Sequence, residues 1–186
     1  MIHEALREQT TVAHQQLEKI VITRLKNMRS DADYAAFLKV FYAYFLRLEE
    51  TIKPFITAAI LPDYAERRHA DSIADDIKSC GCSLNDLIEV SVPIIDSTVK
   101  ALAALYVMEG SVMGGSIIVK ILANHGITKG TSFFAGYGED TRSKWSFFTD
   151  KLSLHIPEEH YQEAINTATA TFSKFADAFE LDAKLS

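Results

Sequence analysis

Cysteine is scarce in this chain: only Cys80 and Cys82 occur among 186 residues, too few for a disulfide scaffold. They form a CxC pattern with no second cysteine pair, which is weak for zinc, so they read as reduced, structural or incidental thiols. Proline (four) and glycine (eight) are also few, and no stretch is repetitive, low in complexity or linker-like, which excludes disorder for the bulk of the chain. No segment approaches the roughly 18 consecutive apolar residues of a membrane span. The N-terminal residues carry Glu4, Arg7 and Glu8 where a secretion signal needs an apolar core. The terminal ELDAKLS holds neither a hydrophobic anchor nor a lipidation cysteine. Runs of Lys and Arg are missing too, and the net charge of −6 gives no electrostatic footprint for nucleic acid. The expectation is a soluble cytoplasmic protein with no membrane anchor and no nucleic-acid partner.

What is present is helical patterning. Leu6, Ala13, Leu17, Ile20 and Leu25 form an apolar stripe that predicts a first helix from about His3 to Asn27. Ser30 reads as an N-cap with Asp33 in the capping-box position. The aromatic run from Tyr34 to Leu48 follows at helical spacing, and that helix should end near Pro54. Pro62 is expected to open a more polar helix with Ile73 and Ile77 inward, ending at Gly81. Ser83 to Glu89 reads as a short amphipathic piece broken by Pro93. Ser97 to about Asn124 is apolar nearly all round, as a central buried helix would be. Gly126 to Gly138 reads as loop, Thr141 starts another helix, and Pro157 occupies a first helical position. The last helix turns Tyr161, Ile165, Phe172, Phe175 and Phe179 inward. No alternating strand is convincing, so the fold class expected is an all-α single-domain bundle of about six to eight helices.

Three glycines interrupt the central helix in Leu105-Tyr-Val-Met-Glu-Gly-Ser-Val-Met-Gly-Gly115. Each costs about 0.5–1 kcal/mol relative to alanine, so a tertiary reason must offset them. Gly110 and Gly114 share a face. Either another helix packs closely there or a flat ligand approaches the backbone. On the first helix, His14 lies on the Ala13–Leu17 side with Glu18 one turn on. This is either an ordinary boundary pair or an imidazole ligand with a carboxylate to hold its second nitrogen. A histidine on one helix and a wall without side chains on another are together explained by a haem between them.

At these residues the chain resembles the haem (heme) oxygenases, in particular their soluble bacterial branch. LRxxTxxAHxxLE at Leu6–Glu18 and LYVxEGSxxGG at Leu105–Gly115 carry the resemblance, with Trp145-Ser-Phe-Phe and the late helix bearing Phe172 and Phe175 in the same order. The resemblance covers most of the chain and implies one haem oxygenase-like helical domain over 1–186. It implies an oxidoreductase that converts haem, at once cofactor and substrate, to biliverdin, iron and carbon monoxide with O₂. By it, His14 is the proximal iron ligand and Glu18 the carboxylate beside it. Gly110, Gly114 and Gly115 are the distal glycines, with Gly110, Ser111 and Gly114 the catalytic wall. Arg7 meets a propionate; apart from the resemblance, Tyr106 lies one turn before Gly110 and by that proximity is expected to reach the haem edge. Ser111 stands where animal relatives have an aspartate. The basic pair that many relatives carry early in the last helix is missing, with His160, Glu163 and Asn166 in that region. Lys120 and Lys129 are then substitutes by position. A neutral imidazole gives little push toward O–O cleavage, which suits attack on the porphyrin edge. No flavin or nicotinamide motif is present, so electrons must come from a separate ferredoxin or reductase.

Other readings on a helical bundle have recognisable requirements. A non-catalytic haem carrier or sensor would share His14. A TenA-type thiamin-degrading enzyme shares the fold but wants a nucleophilic cysteine in the bundle, and Cys80 and Cys82 sit at a helix end. A di-iron bundle needs two Glu-x-x-His motifs. Glu66-Arg-Arg-His69 is one, without a second, and Arg67 and Arg68 read as a solvated face.

Overall fold

The computed structural model describes residues 1–185. Helices α1 (Ile2–Gln9) and α2 (Thr11–Asn27) are separate, not the one helix expected from His3 to Asn27. The Thr10 and Thr11 hydroxyls donate to the Leu6 and Arg7 carbonyls, at 2.7 and 2.8 Å, and such back-bonding to the preceding turn bends a helix. Helix α3 (Asp31–Ile52) starts as expected, with the Ser30 hydroxyl accepting from the Asp33 N–H at 3.1 Å. It ends two residues before Pro54.

The next segment departs from the sequence reading. Pro62 opens no helix; a single 3₁₀ turn (Tyr64–Glu66) precedes helix α4 (Ala70–Ser79). The Glu49 carboxylate accepts from the Ala70 N–H at 2.8 Å and so fixes where α4 begins. Its end matches expectation, with Gly81 in the left-handed region. Ser83–Glu89 is irregular and not a helical piece, with Asp86 at φ 60°.

The central helix is present but broken. Helix α5 (Thr98–Met113) is capped by the Ser97 hydroxyl, and α6 (Gly115–Asn124) leaves it at a bend of 41°. The stretch expected as loop holds a short helix, α7 (Ser132–Ala135). Helices α8 (Thr141–His155) and α9 (Tyr161–Leu185) complete the chain. Pro157 is extended at ψ 162° and precedes a 3₁₀ turn (Glu158–His160), so it sits one place earlier than expected.

Among the described residues there is no strand, and the fold is a single-domain all-α bundle. Helix α5 is buried from Ala101 to Glu109 between α9, α3 and α8. No single helix is long and apolar enough to cross a membrane; the bent α5–α6 pair has the composition, but α5 is enclosed by the bundle. The core is aromatic. Phe41 meets Phe175 edge-on at 4.7 Å, and Tyr44 stacks on Phe175 at 4.5 Å while its hydroxyl donates to the Thr171 carbonyl. Such pairs contribute beyond the area they bury. They fix α3 against α9 and hold rigid the floor beneath α2 and the α5–α6 break.

Candidate functional site

A cleft of about 500 Å³ opens between α2 and the α5–α6 break, within the usual range for small-molecule and cofactor sites. His14, Leu17 and Glu18 line one wall; Tyr106, Gly110, Ser111, Gly114 and Ile117 line the other. Phe41, Phe134, Phe172 and Phe175 close the floor, and Arg7 and Trp145 stand with Tyr106. The lining is largely apolar.

His14 is exposed to this cleft, and its ring meets Phe172 edge-on at 5.4 Å. The helix therefore presents the imidazole to open space, with an aromatic edge limiting its tilt. Glu18 is on the same wall one turn later, but it makes no hydrogen bond or ion pair with His14. The i,i+4 spacing sets the two side chains side by side without joining them.

The three glycines at the α5–α6 break divide into two kinds. A Cβ on Gly110 would meet nothing within 4 Å, and one on Gly114 only the Ser111 carbonyl at 3.9 Å. No packing among the described residues requires either to be glycine. Gly115 is different: it is buried, does not line the cleft, and a Cβ there would collide with the Phe134 backbone carbonyl. Gly115 serves close packing, whereas Gly110 and Gly114 clear the cleft wall.

Arg7 and Tyr106 come together. Among the described residues that line the cleft, Arg7 is the one Lys or Arg and Glu18 the one carboxylate. Tyr106 is only 8% exposed, and its hydroxyl has no partner among the described residues. Burial pushes its phenol up, while the Arg7 charge pulls the other way. The Ser111 hydroxyl donates to the Met108 carbonyl at 2.6 Å, so toward the cleft it offers lone pairs only. Lys120, Lys129, His160, Glu163 and Asn166 do not line the cleft.

One cluster behind the α5 wall of the cleft departs from the sequence expectation. Arg67 is buried, not solvated. It bonds Glu109 at 2.6 Å, grips both oxygens of Asp63 at 3.0 Å, and lies over the Phe148 ring. Tyr137 donates to Glu109 at 3.2 Å and accepts from the Arg68 N–H. Burial pushes the Glu109 carboxyl up against the opposing pull of Arg67 and Tyr137. The acidic residue directly before Gly110 in an otherwise apolar helix was the available signal; its partner 42 residues away was not legible. Elsewhere Glu66 is exposed, while His69 is held by Glu49 and the Tyr64 carbonyl. Arg67→Ala is expected to destabilise the fold by about 3–5 kcal/mol, because it strands a buried carboxylate. Replacing Arg67 and Glu109 together by apolar residues should cost far less, and urea unfolding of the three proteins checks both.

The sequence matches no protein-family model and no curated protein. The structure defines its class, an all-α bundle of the heme oxygenase fold. It is similar to the NO- and CO-bound crystal structures of the heme oxygenase from Neisseria meningitidis, with a TM-score of 0.83 at 20% identity over 100% of this chain and 94% of that one.

Proposed function

We propose that the chain is a haem oxygenase: it binds haem in the cleft through His14 and cleaves it, with O₂ and external electrons, to biliverdin, iron and carbon monoxide. The observation that carries this reading is the pairing of an exposed, aromatic-braced His14 with Gly110 and Gly114, whose missing Cβ atoms answer no packing need among the described residues. The heme oxygenase fold of the Neisseria meningitidis protein supports it.

The residues present fit haem. The cleft has an apolar lining for the macrocycle, one imidazole for the iron, and one cationic end for carboxylates. His14 is the iron ligand, and Glu18 is the near carboxylate for its other ring nitrogen, a partner that fixes tautomer and orientation. Arg7 and the unpaired Tyr106 hydroxyl receive a propionate. Gly110 and Gly114 let the haem face approach the backbone, and Gly115 preserves the bend beside it. Ser111, its hydrogen committed to Met108, accepts from a distal water and does not itself donate a proton. Bound haem supplies the iron that takes up O₂ and the porphyrin edge that is oxidised. No part of the chain is read as a flavin or nicotinamide site, so a separate ferredoxin or reductase supplies electrons, in the cytoplasm.

Adding haem to the purified chain is expected to give a Soret shift, and ascorbate or a ferredoxin system should then bleach that band and yield a bilin. A stable oxygen complex that never yields bilin would favour the haem carrier, and no Soret shift would end the reading.

A further inference from the structure

Gly130 and Gly136 belong to a strap, residues 130–137, that crosses the central helix at its break. Its first half is anchored by α4. The buried Asp76 carboxylate accepts from the Ser132 N–H at 3.1 Å, the Ser132 hydroxyl at 2.7 Å and the Phe133 N–H at 2.8 Å. The Tyr34 hydroxyl donates to the Gly130 carbonyl at 2.8 Å. Gly130 is left-handed at φ +64° and pressed so close to Asp76 and Cys80 that a Cβ has no room. The far end is anchored by the Arg68 guanidinium, which donates twice to the Gly136 carbonyl, at 2.6 and 3.1 Å. Gly136, at φ +67°, rests on the Val112 side chain of α5.

Between these anchors α7 presses the Phe134 carbonyl onto Gly115 and turns the Phe134 ring into the cleft floor. Two successive glycines make a bend inexpensive but do not choose its angle. No side chain caps the start of α6. The Ile117 N–H reaches the Gly114 carbonyl at 3.1 Å, but straightening into one continuous helix would also pair the Gly115 and Ser116 N–H groups at the start of α6. Kinks arise at Gly/Ser pairs or where a group presses into the helix; Gly114–Ser116 permits this one, and the Phe134 carbonyl seated on Gly115 fixes its direction.

We infer that Asp76 is a positioning residue for the distal wall: by fixing the 130–137 strap it holds α6 at its bend and so sets the opening between His14 and the Gly110–Gly114 face. This rests on the proposed function only in the use it gives that opening. The bend itself is a property of the chain without ligand.

Asp76→Asn places an amide N–H against the Phe133 N–H and loses that bond, whereas Ser132→Ala removes a single hydroxyl and leaves both backbone donors. In the ligand-free protein, amide exchange at Gly115 and Ser116 is expected to fall about tenfold in Asp76→Asn, as a straighter helix pairs their N–H groups, and by less in Ser132→Ala, while the amides of α9 hold their rates. A change spread evenly over the chain, or no fall at Gly115 and Ser116 in a folded variant, overturns the inference. The second measurement is the C–O stretch of the haem–CO complex. It should shift or broaden in Asp76→Asn with the Soret band retained, and an unmoved stretch beside altered exchange would show that the strap does not reach the wall. If even the unaltered chain takes up no haem, the proposed function falls and the exchange measurement alone decides the role of Asp76.

Discussion

His14→Ala is expected to abolish the ligated Soret spectrum and to lower haem turnover by more than about a hundredfold. Loss of a partner that merely supports a metal ligand costs 10–100-fold, and here the ligand itself is removed. The fold should survive. His14 is exposed, and its visible packing is the edge contact with Phe172, worth about 0.5–1.5 kcal/mol. Alanine returns part of that through better helix propensity. The melting temperature should therefore move little while the spectrum changes completely, a separation that a structural histidine would not produce. The vacated position opens on solvent, so imidazole added in solution is expected to restore a ligated spectrum. Haem titration followed at the Soret band, with thermal unfolding on the same samples, checks this; an unchanged spectrum would remove His14 from the site.

Much of the site is local in sequence, which is why it was legible. His14 and Glu18 lie one turn apart on α2, Tyr106 to Ser111 lie on α5 with Gly114 at its end, and helical periodicity alone placed each group on one stretch of chain. The fold class follows from the same periodicity. What was not legible depends on contacts between distant elements. The glycine run looked like one feature, yet Gly115 is separated from Gly110 and Gly114 only by the Phe134 carbonyl lying against it. Arg67 and Arg68 looked solvated because charged neighbours usually are. Both turn inward, toward Glu109 and Gly136, and with the Glu49 cap on Ala70 they displace the helix start expected at Pro62. Short helix α7 has four residues and draws its N-terminal partner from Asp76, 56 residues earlier. No local pattern can carry such a cap.

The glycines give the second large effect, because their two kinds should respond in opposite ways. Gly110→Ala adds a methyl group where nothing lies within 4 Å. It should stabilise the ligand-free fold by about 0.5–1 kcal/mol, since α5 is right-handed there and alanine restricts the unfolded chain. Gly114→Leu is likewise free of collision, with backbone angles of −87° and −7° that any residue adopts. Its side chain would occupy the cleft, and haem turnover should fall by about a hundredfold, the scale of a 1 Å misplacement at a reacting centre. Gly115→Ala should do the reverse. Its methyl group meets the Phe134 carbonyl, a backbone atom that cannot rotate aside, so the fold should lose about 1–3 kcal/mol from overpacking. If the glycines existed only for helix packing, all three substitutions would destabilise and none would spare the fold while blocking the cleft. Denaturant midpoints of the ligand-free proteins beside their haem titrations separate the cases, because a stability loss in Gly110→Ala or full turnover in Gly114→Leu would return those positions to packing. The contrast tests the geometry on which the haem reading stands: a distal wall kept bare by Gly110 and Gly114 and kept bent by Gly115.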